Sequence, residues 1–365
     1  MIYNTTESAT QGADTDTGAN DRSTIQLITT VVYVLISVSG VVGNGLVLCV
    51  AILVPALRNV TYLFVANQSL VDFMSSVLLF VSFILPPIDL SGISETNHAL
   101  ATILCVVWNS RYLYWASLKI STGNLLCLTL ERYVAVVHPY TYRERVNRKS
   151  ASVLVLCIWI IGFLVEMPWA FSHFVADGLC QYRLRGQTAR IVIACVVFLY
   201  TAVIPVVVMS FVYISILKKL REGAQRNILE PTSTTTTRNT DPSSFLQPPS
   251  DRNQHTNEVP ARSTQDVSTP ITQNNSRSRA RRNVMATMFI VCVVYAVCIT
   301  PNQIYFFLFI LGANLDLSNV FYVVSVFMSA TNICVNPLIY ACKYRKFQKG
   351  VRALFCKTKV HVIVD

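Results

Sequence analysis

Charge is what this sequence lacks. Only 13% of its 365 residues are Asp, Glu, Lys or Arg, against roughly 25% in a typical soluble domain, while 53% are hydrophobic. A soluble fold of this length cannot hide so much apolar surface, so lipid is the solvent the composition calls for. Histidine is scarce as well. The five are His98, His138, His173, His255 and His361, all in loops or tails, and no ligand set stands at metal spacing. A membrane-embedded metal hydrolase is thereby excluded, and no other enzymatic reading arises. Inverted repeats and half-helices, the marks of a secondary transporter, are missing too. No basic stretch precedes the first apolar run, so no cleavable signal peptide is expected and that run serves as its own insertion signal.

Seven segments meet the spanning rule of roughly 20 mostly apolar residues: approximately 25–54, 60–85, 100–137, 150–171, 191–217, 283–313 and 317–342. The predicted fold is an all-α membrane protein, a seven-transmembrane helix bundle. The net charge of +11 gathers between alternate segments: Arg143, Arg145, Arg148, Lys149, Lys218, Lys219, Arg281 and Arg282 fall on one side. Glu7, Asp14, Asp16, Asp21, Asp89 and Glu95 fall on the other. The basic side is expected to be cytoplasmic, which points to a membrane surface and not to nucleic acid. An odd number of spans then places the N-terminus outside, at the plasma membrane, with Asn4 as an outer-side glycosylation sequon. Of the eleven cysteines, only Cys105 and Cys180 fall on the outer, oxidising side. They are the candidates for a bridge, the alternative being two unpaired thiols.

The chain divides into an outer tail (1–24), a seven-span domain (25–342) and a cytoplasmic end (343–365). Within the domain, residues 222–278 are rich in Thr, Ser, Asn, Gln and Pro, and too poor in apolar residues to build a core, so disorder is expected there. Polar groups inside the spans are costly and therefore informative. Lys119 and Glu166 lie at comparable depths in consecutive spans, and pairing would offset the cost of both. The alternative is that each faces a cavity or snorkels separately.

Asn44, Asp72, Glu131-Arg132-Tyr133, Trp159, Pro205 with Tyr213, Cys298-x-x-Pro301 and Asn336-Pro337-x-x-Tyr340 follow in order along the spans. The set resembles the rhodopsin-like (class A) G-protein-coupled receptors. That resemblance implies a receptor converting binding of an extracellular ligand into guanine-nucleotide exchange on a heterotrimeric G protein. It implies a cytoplasmic switch at Arg132, held by Glu131 and joined by Tyr213 and Tyr340, with Pro139 and Tyr140 docking the Gα subunit. Asp72, Ser121, Asn332 and Asn336 match the cluster that binds a sodium ion in the family. Residues beyond Tyr340 read as a short cytoplasmic amphipathic helix, with Cys356 as a palmitoylation candidate.

The departures are specific. Ile299 stands where the family carries an aromatic switch, Tyr295 where it carries Phe, and Thr122 where it carries an aliphatic residue. Cys105 precedes Arg132 by 132 − 105 = 27 residues, longer than the family spacing, so either the top of the third span is distorted or the bridge is displaced. Tyr114 occupies the place of the amine-anchoring carboxylate, and Ala330 that of the retinal lysine. An amine ligand and an opsin are thereby disfavoured. Arg111, Tyr114, Trp115, Leu118, Gln303, Phe306, Phe307 and Tyr322 are expected to line an aromatic pocket with one cation, suited to a peptide or a small anion. Because Ile299 alters the switch, the runner-up reading is a non-signalling scaffold or decoy seven-helix receptor.

Overall fold

The computed structural model describes residues 16–53, 59–183, 186–229, 270–315, 319–343, 347–348 and 350–352. The first span is a single helix, α1 (Asp16–Leu53), which begins nine residues before the expected start (25 − 16 = 9). The second span, α2 (Val60–Ile84), is capped by Asn59, whose side chain accepts from the Tyr62 N–H. A short α3 (Ser91–Thr96) leads to the third span.

The third span is not the unbroken helix expected over 100–137. It consists of α4 (His98–Ile103), a wide π-helical turn (Leu104–Asn109), then Arg111 in a left-handed conformation (φ 61°, ψ 27°), then α5 (Tyr112–Val137). The distortion lies just where the cysteine spacing is too long. After α6 (Pro139–Arg145) comes the fourth span, α7 (Arg148–Ala170), capped by Asn147. Two strands, β1 (His173–Ala176) and β2 (Leu179–Tyr182), pair antiparallel with Val175 opposite Cys180. Asp177 and Gly178 between them both take positive φ, as a two-residue hairpin turn requires. Gly178 has a second reason to be glycine: a Cβ there would meet the Ser91 Cα at 2.8 Å.

The fifth span is α8 (Gln187–Phe198), a π turn (Leu199–Val203) and α9 (Ile204–Leu229). The sixth is α10 (Pro270–Leu311) and the seventh α11 (Val320–Lys343). Thus α9 and α10 claim both ends of the stretch expected to be disordered. The helix formers after Lys218 and the Arg/Ala-rich run before Asn283 explain why. Residues 230–269 lie outside the described residues.

Among the described residues, six helices are long and apolar enough to cross a membrane. The seventh, α5, is less apolar, because it carries Ser117, Ser121, Thr122 and Asn124 as well as Lys119, Glu131 and Arg132. It is the central helix, packed against α2, α7 and α9, so its polar side chains meet protein and not lipid. The outward faces of the others are apolar, with Leu35, Leu156, Ile160, Val207 and Val297 exposed. The inner core holds Leu79, Tyr114, Leu118 and Ile333 toward the disulfide end, and Phe64, Val71, Ile120, Leu128 and Ile158 on α2, α5 and α7. Gly162 sets the α5–α7 approach, since a Cβ there would stand 2.9 Å from the Ile120 backbone nitrogen.

Two prolines explain two contacts between helices. Each lacks an N–H and so frees the carbonyl four residues earlier. Pro337 frees Ile333, whose oxygen accepts from Asn44 Nδ2 at 3.0 Å. Pro205 frees Thr201, whose oxygen accepts from the Tyr295 hydroxyl at 2.7 Å. The same hydroxyl lies 3.0 Å from Thr122 Oγ1, so Tyr295 and Thr122 replace apolar packing with a polar junction of α5, the fifth span and α10. Tyr295→Phe should therefore strand a buried carbonyl and destabilise the protein by about 1–3 kcal/mol, read as a lower thermal midpoint of the purified protein. An unchanged midpoint would remove the junction from the account.

Candidate functional site

Cys105, the buried residue of the wide turn, is bonded to Cys180 of β2 with Cα atoms 5.3 Å apart. The disulfide ties the hairpin over one end of the bundle. Beneath it opens a cavity lined by Tyr33, Phe83, Asn109, Arg111, Trp115, Lys119, Glu166, Trp169, His173, Asn302, Gln303, Phe306 and Tyr322, among others.

The left-handed turn at Arg111 aims its side chain into this cavity. Its guanidinium lies 4.0 Å from the centre of the Phe83 ring, and its Nε donates to the Ser82 carbonyl at 3.1 Å. Among the described residues, no hydrogen bond or ion pair engages its two terminal nitrogens, which leaves them to meet a ligand. At the cavity wall, Lys119 Nζ stands 3.8 Å from Glu166 Oε2, with both side chains at most 7% exposed. The pair sits beside the close approach that Gly162 permits. Burial pushes the His173 imidazole below its usual range, against an opposing hydrogen bond to the Trp169 carbonyl, so it is neutral near pH 7. Among the described residues, the charged lining residues are Arg111, Lys119 and Glu166, and two cations less one anion give them a net charge of +1.

Of the eight expected pocket residues, Arg111, Trp115, Gln303, Phe306 and Tyr322 line this cavity. Three do not. Tyr114 is fully buried behind it, edge-on to Phe83 and Trp115. Leu118 is packed into the core, and Phe307 stacks on Phe198 at 4.6 Å. The helical phase of α5 and α10 turns these side chains away, which composition could not reveal. Sequence reasoning missed Tyr33, Phe83, Asn302, Trp169 and His173. Gln303 also accepts from the Thr201 hydroxyl at 2.6 Å, so Thr201 meets a lining residue through its side chain and Tyr295 through its backbone carbonyl.

At the opposite end, Arg132 Nε lies 2.9 Å from Glu131 Oε2. The N–H is not aimed at the oxygen, so this is an ion pair and not a hydrogen bond. Glu131 Oε1 accepts from Thr61 at 2.9 Å and from Tyr142 at 2.6 Å, two clamps the motif did not reveal. Burial and the bond to Glu131 push the Tyr142 phenol up to about 12, so it remains a donor at neutral pH. Tyr133 packs edge-on to His138, and Tyr213 stacks on Phe289 at 4.4 Å. Pro139 opens α6, and Tyr140 beside it is 82% exposed.

Midway between the two ends, Asp72 is fully buried. Its carboxylate accepts from Gln68 Nε2 at 3.1 Å on both oxygens, from Ser121 at 2.9 Å and from Asn336 at 2.9 Å. Asn332 is buried but does not donate to it. The neighbours thus turn hydrogens toward the carboxylate, whereas a cation beside it would need their lone pairs.

Pro337 lies inside α11, and the backbone of Tyr340 continues the helix. Residues 347–348 and 350–352 are helical, within the run expected to form a short cytoplasmic helix, and Phe347 is buried in the core cluster that also holds Val47 and Val50. Asn4 and Cys356 lie outside the described residues.

Comparison with known proteins follows the same geometry. The profile of the family described as 7 transmembrane receptor (rhodopsin family) matches residues 43–340. The chain is 22% identical over 351 residues to Galanin receptor 2b of Danio rerio, covering 92% of this chain and 79% of that one. It is 25% identical over 355 residues to Octopamine receptor beta-2R of Chilo suppressalis, covering 93% and 82%. To Cholecystokinin receptor of Xenopus laevis it is 23% identical over 358 residues, covering 89% and 76%.

Proposed function

Since the chain belongs to the rhodopsin family of seven-transmembrane receptors, we propose that it binds an extracellular peptide and drives guanine-nucleotide exchange on a heterotrimeric G protein. The protein sits in the plasma membrane with its N-terminus outside and carries no catalytic activity of its own. The observation that carries the ligand reading is the aromatic-walled cavity whose charged lining residues, among those described, sum to +1, with the Arg111 terminal nitrogens free to meet an acidic group. Such a site suits a peptide bearing an acidic side chain or a free carboxylate. Two of the three relatives above are peptide receptors by name and one is an amine receptor. Against an amine stands Tyr114, which supplies no carboxylate and is shut away from the cavity.

Signal transfer then runs from Gln303 through Thr201 to Tyr295, in place of the aromatic switch that Ile299 removes. At the inner end, Tyr140 and the Glu131–Arg132 pair meet the G protein. This favours a signalling receptor over a scaffold or decoy, because each polar group of the relay is engaged.

A peptide library applied to cells expressing the full chain, read by nucleotide exchange, tests the proposal. Peptides with an acidic group should activate, and Arg111→Gln should weaken the active ones by about ten- to a hundredfold, the equivalent of one charge-assisted hydrogen bond of about 1.5–3 kcal/mol. Activation by amines alone, or peptide potency indifferent to Arg111, would overturn it.

A further inference from the structure

The polarity of the hydrogen bonds around Asp72 can be traced back to groups that have no choice of direction. The Trp159 indole N–H can only donate, and it donates to Asn67 Oδ1 at 3.0 Å. That turns Asn67 Nδ2 toward Asn124 Oδ1, 2.9 Å away. The Phe64 carbonyl can only accept, and it takes Asn124 Nδ2 at 2.9 Å. Both ends therefore fix the Asn124 amide in one orientation. The same Nδ2 donates to Gln68 Oε1 at 2.8 Å. With its oxygen so engaged, Gln68 must present its NH2 group to the other side, where it meets both Asp72 oxygens and the Ser121 hydroxyl. Ser121 accepts from Gln68 and donates onward to Asp72 at 2.9 Å.

We propose that the Gln68 amide takes the place of a cation beside Asp72, so that the resting state of this receptor is held by Gln68 and is indifferent to sodium. A cation between Asp72 and Ser121 would face the two Gln68 hydrogens. To admit it, the Gln68 amide would have to flip, which would set its NH2 group against Asn124 Nδ2 and break the chain back to Trp159. All of Asn67, Gln68, Asp72, Ser121 and Asn124 are at most 7% exposed, so no bulk water repairs those losses.

The purified full-length protein supplies the test, through its thermal midpoint in sodium chloride against N-methyl-D-glucamine chloride at equal ionic strength. The wild-type midpoint should be the same in both salts. Gln68→Leu, which removes the opposing hydrogens, should melt lower in N-methyl-D-glucamine and gain several degrees from sodium. Asn124→Leu releases the Gln68 oxygen to turn toward Asp72 and should acquire a smaller sodium response; it stands in if Gln68→Leu fails to fold. Stabilisation of the wild type by sodium would overturn the proposal. So would variants that stay as indifferent to sodium as the wild type, since Gln68 would then not be what excludes it.

Discussion

Alanine at either Lys119 or Glu166 will destabilise the protein by about 3–5 kcal/mol, because each substitution strands the other charge in a buried site. The two atoms stand 3.8 Å apart with the side chains at most 7% exposed, so little water reaches a lone partner. The paired variant Lys119→Met, Glu166→Gln leaves no net charge and should recover part of the loss, since a buried pair is often replaceable as a unit. Surface expression and thermal midpoint of the wild type, Lys119→Met, Glu166→Gln and the paired variant give the cycle. Additive effects would show that the two charges act independently. The location of the pair lends the cycle a second use. Both residues line the cavity, and a ligand acid that drew Lys119 from Glu166 would rescue Glu166→Ala by mass action.

Arg132→Ala should reduce nucleotide exchange to background while leaving surface expression close to normal. The Arg132 side chain is 20% exposed and its contact is the neighbouring Glu131 carboxylate, which retains its bonds from Thr61 and Tyr142 when Arg132 is lost. The fold therefore gives up little, and what is removed is the cation presented at the end of the bundle beside the exposed Tyr140. An activating peptide from the library, applied to the variant, is the measurement. Exchange at the wild-type level would refute the role of Arg132, and loss of expression would show it to be structural instead.

The bundle was legible because the rule that writes it is coarse: about 20 apolar residues cross a bilayer whatever their order. Lys119 and Glu166 were readable for a related reason, as charges in lipid-facing sequence have few options and helical rise gives their depth. What depended on rotation about a helix axis was harder. Tyr114 and Arg111 are three residues apart and would share a helix face, yet the left-handed backbone at Arg111 parts them, one into the cavity and one behind it. The Asp72 surroundings held a usable signal that a motif reading passes over. Gln68 and Asp72 stand four apart on α2, and Ser121 and Asn124 three apart on α5, the spacing of side chains on one face. Tyr295 and Thr122 looked like two separate departures until Pro205 showed which carbonyl joins them.

The wide turn above α5 has an evolutionary consequence. Each residue added to a regular helix would rotate all that follows by about 100°, turning Lys119 away from Glu166 and Ser121 away from Asp72. Here the excess is taken up between Leu104 and Arg111 by a π turn and one left-handed residue. Cys105 still reaches Cys180, and α5 keeps its facing toward α2 and α7. A lengthening of the chain at this point thus places a new side chain over the cavity without disturbing anything below it. In this receptor the side chain so delivered is a guanidinium, and ligand chemistry can diverge here by insertion as readily as by substitution.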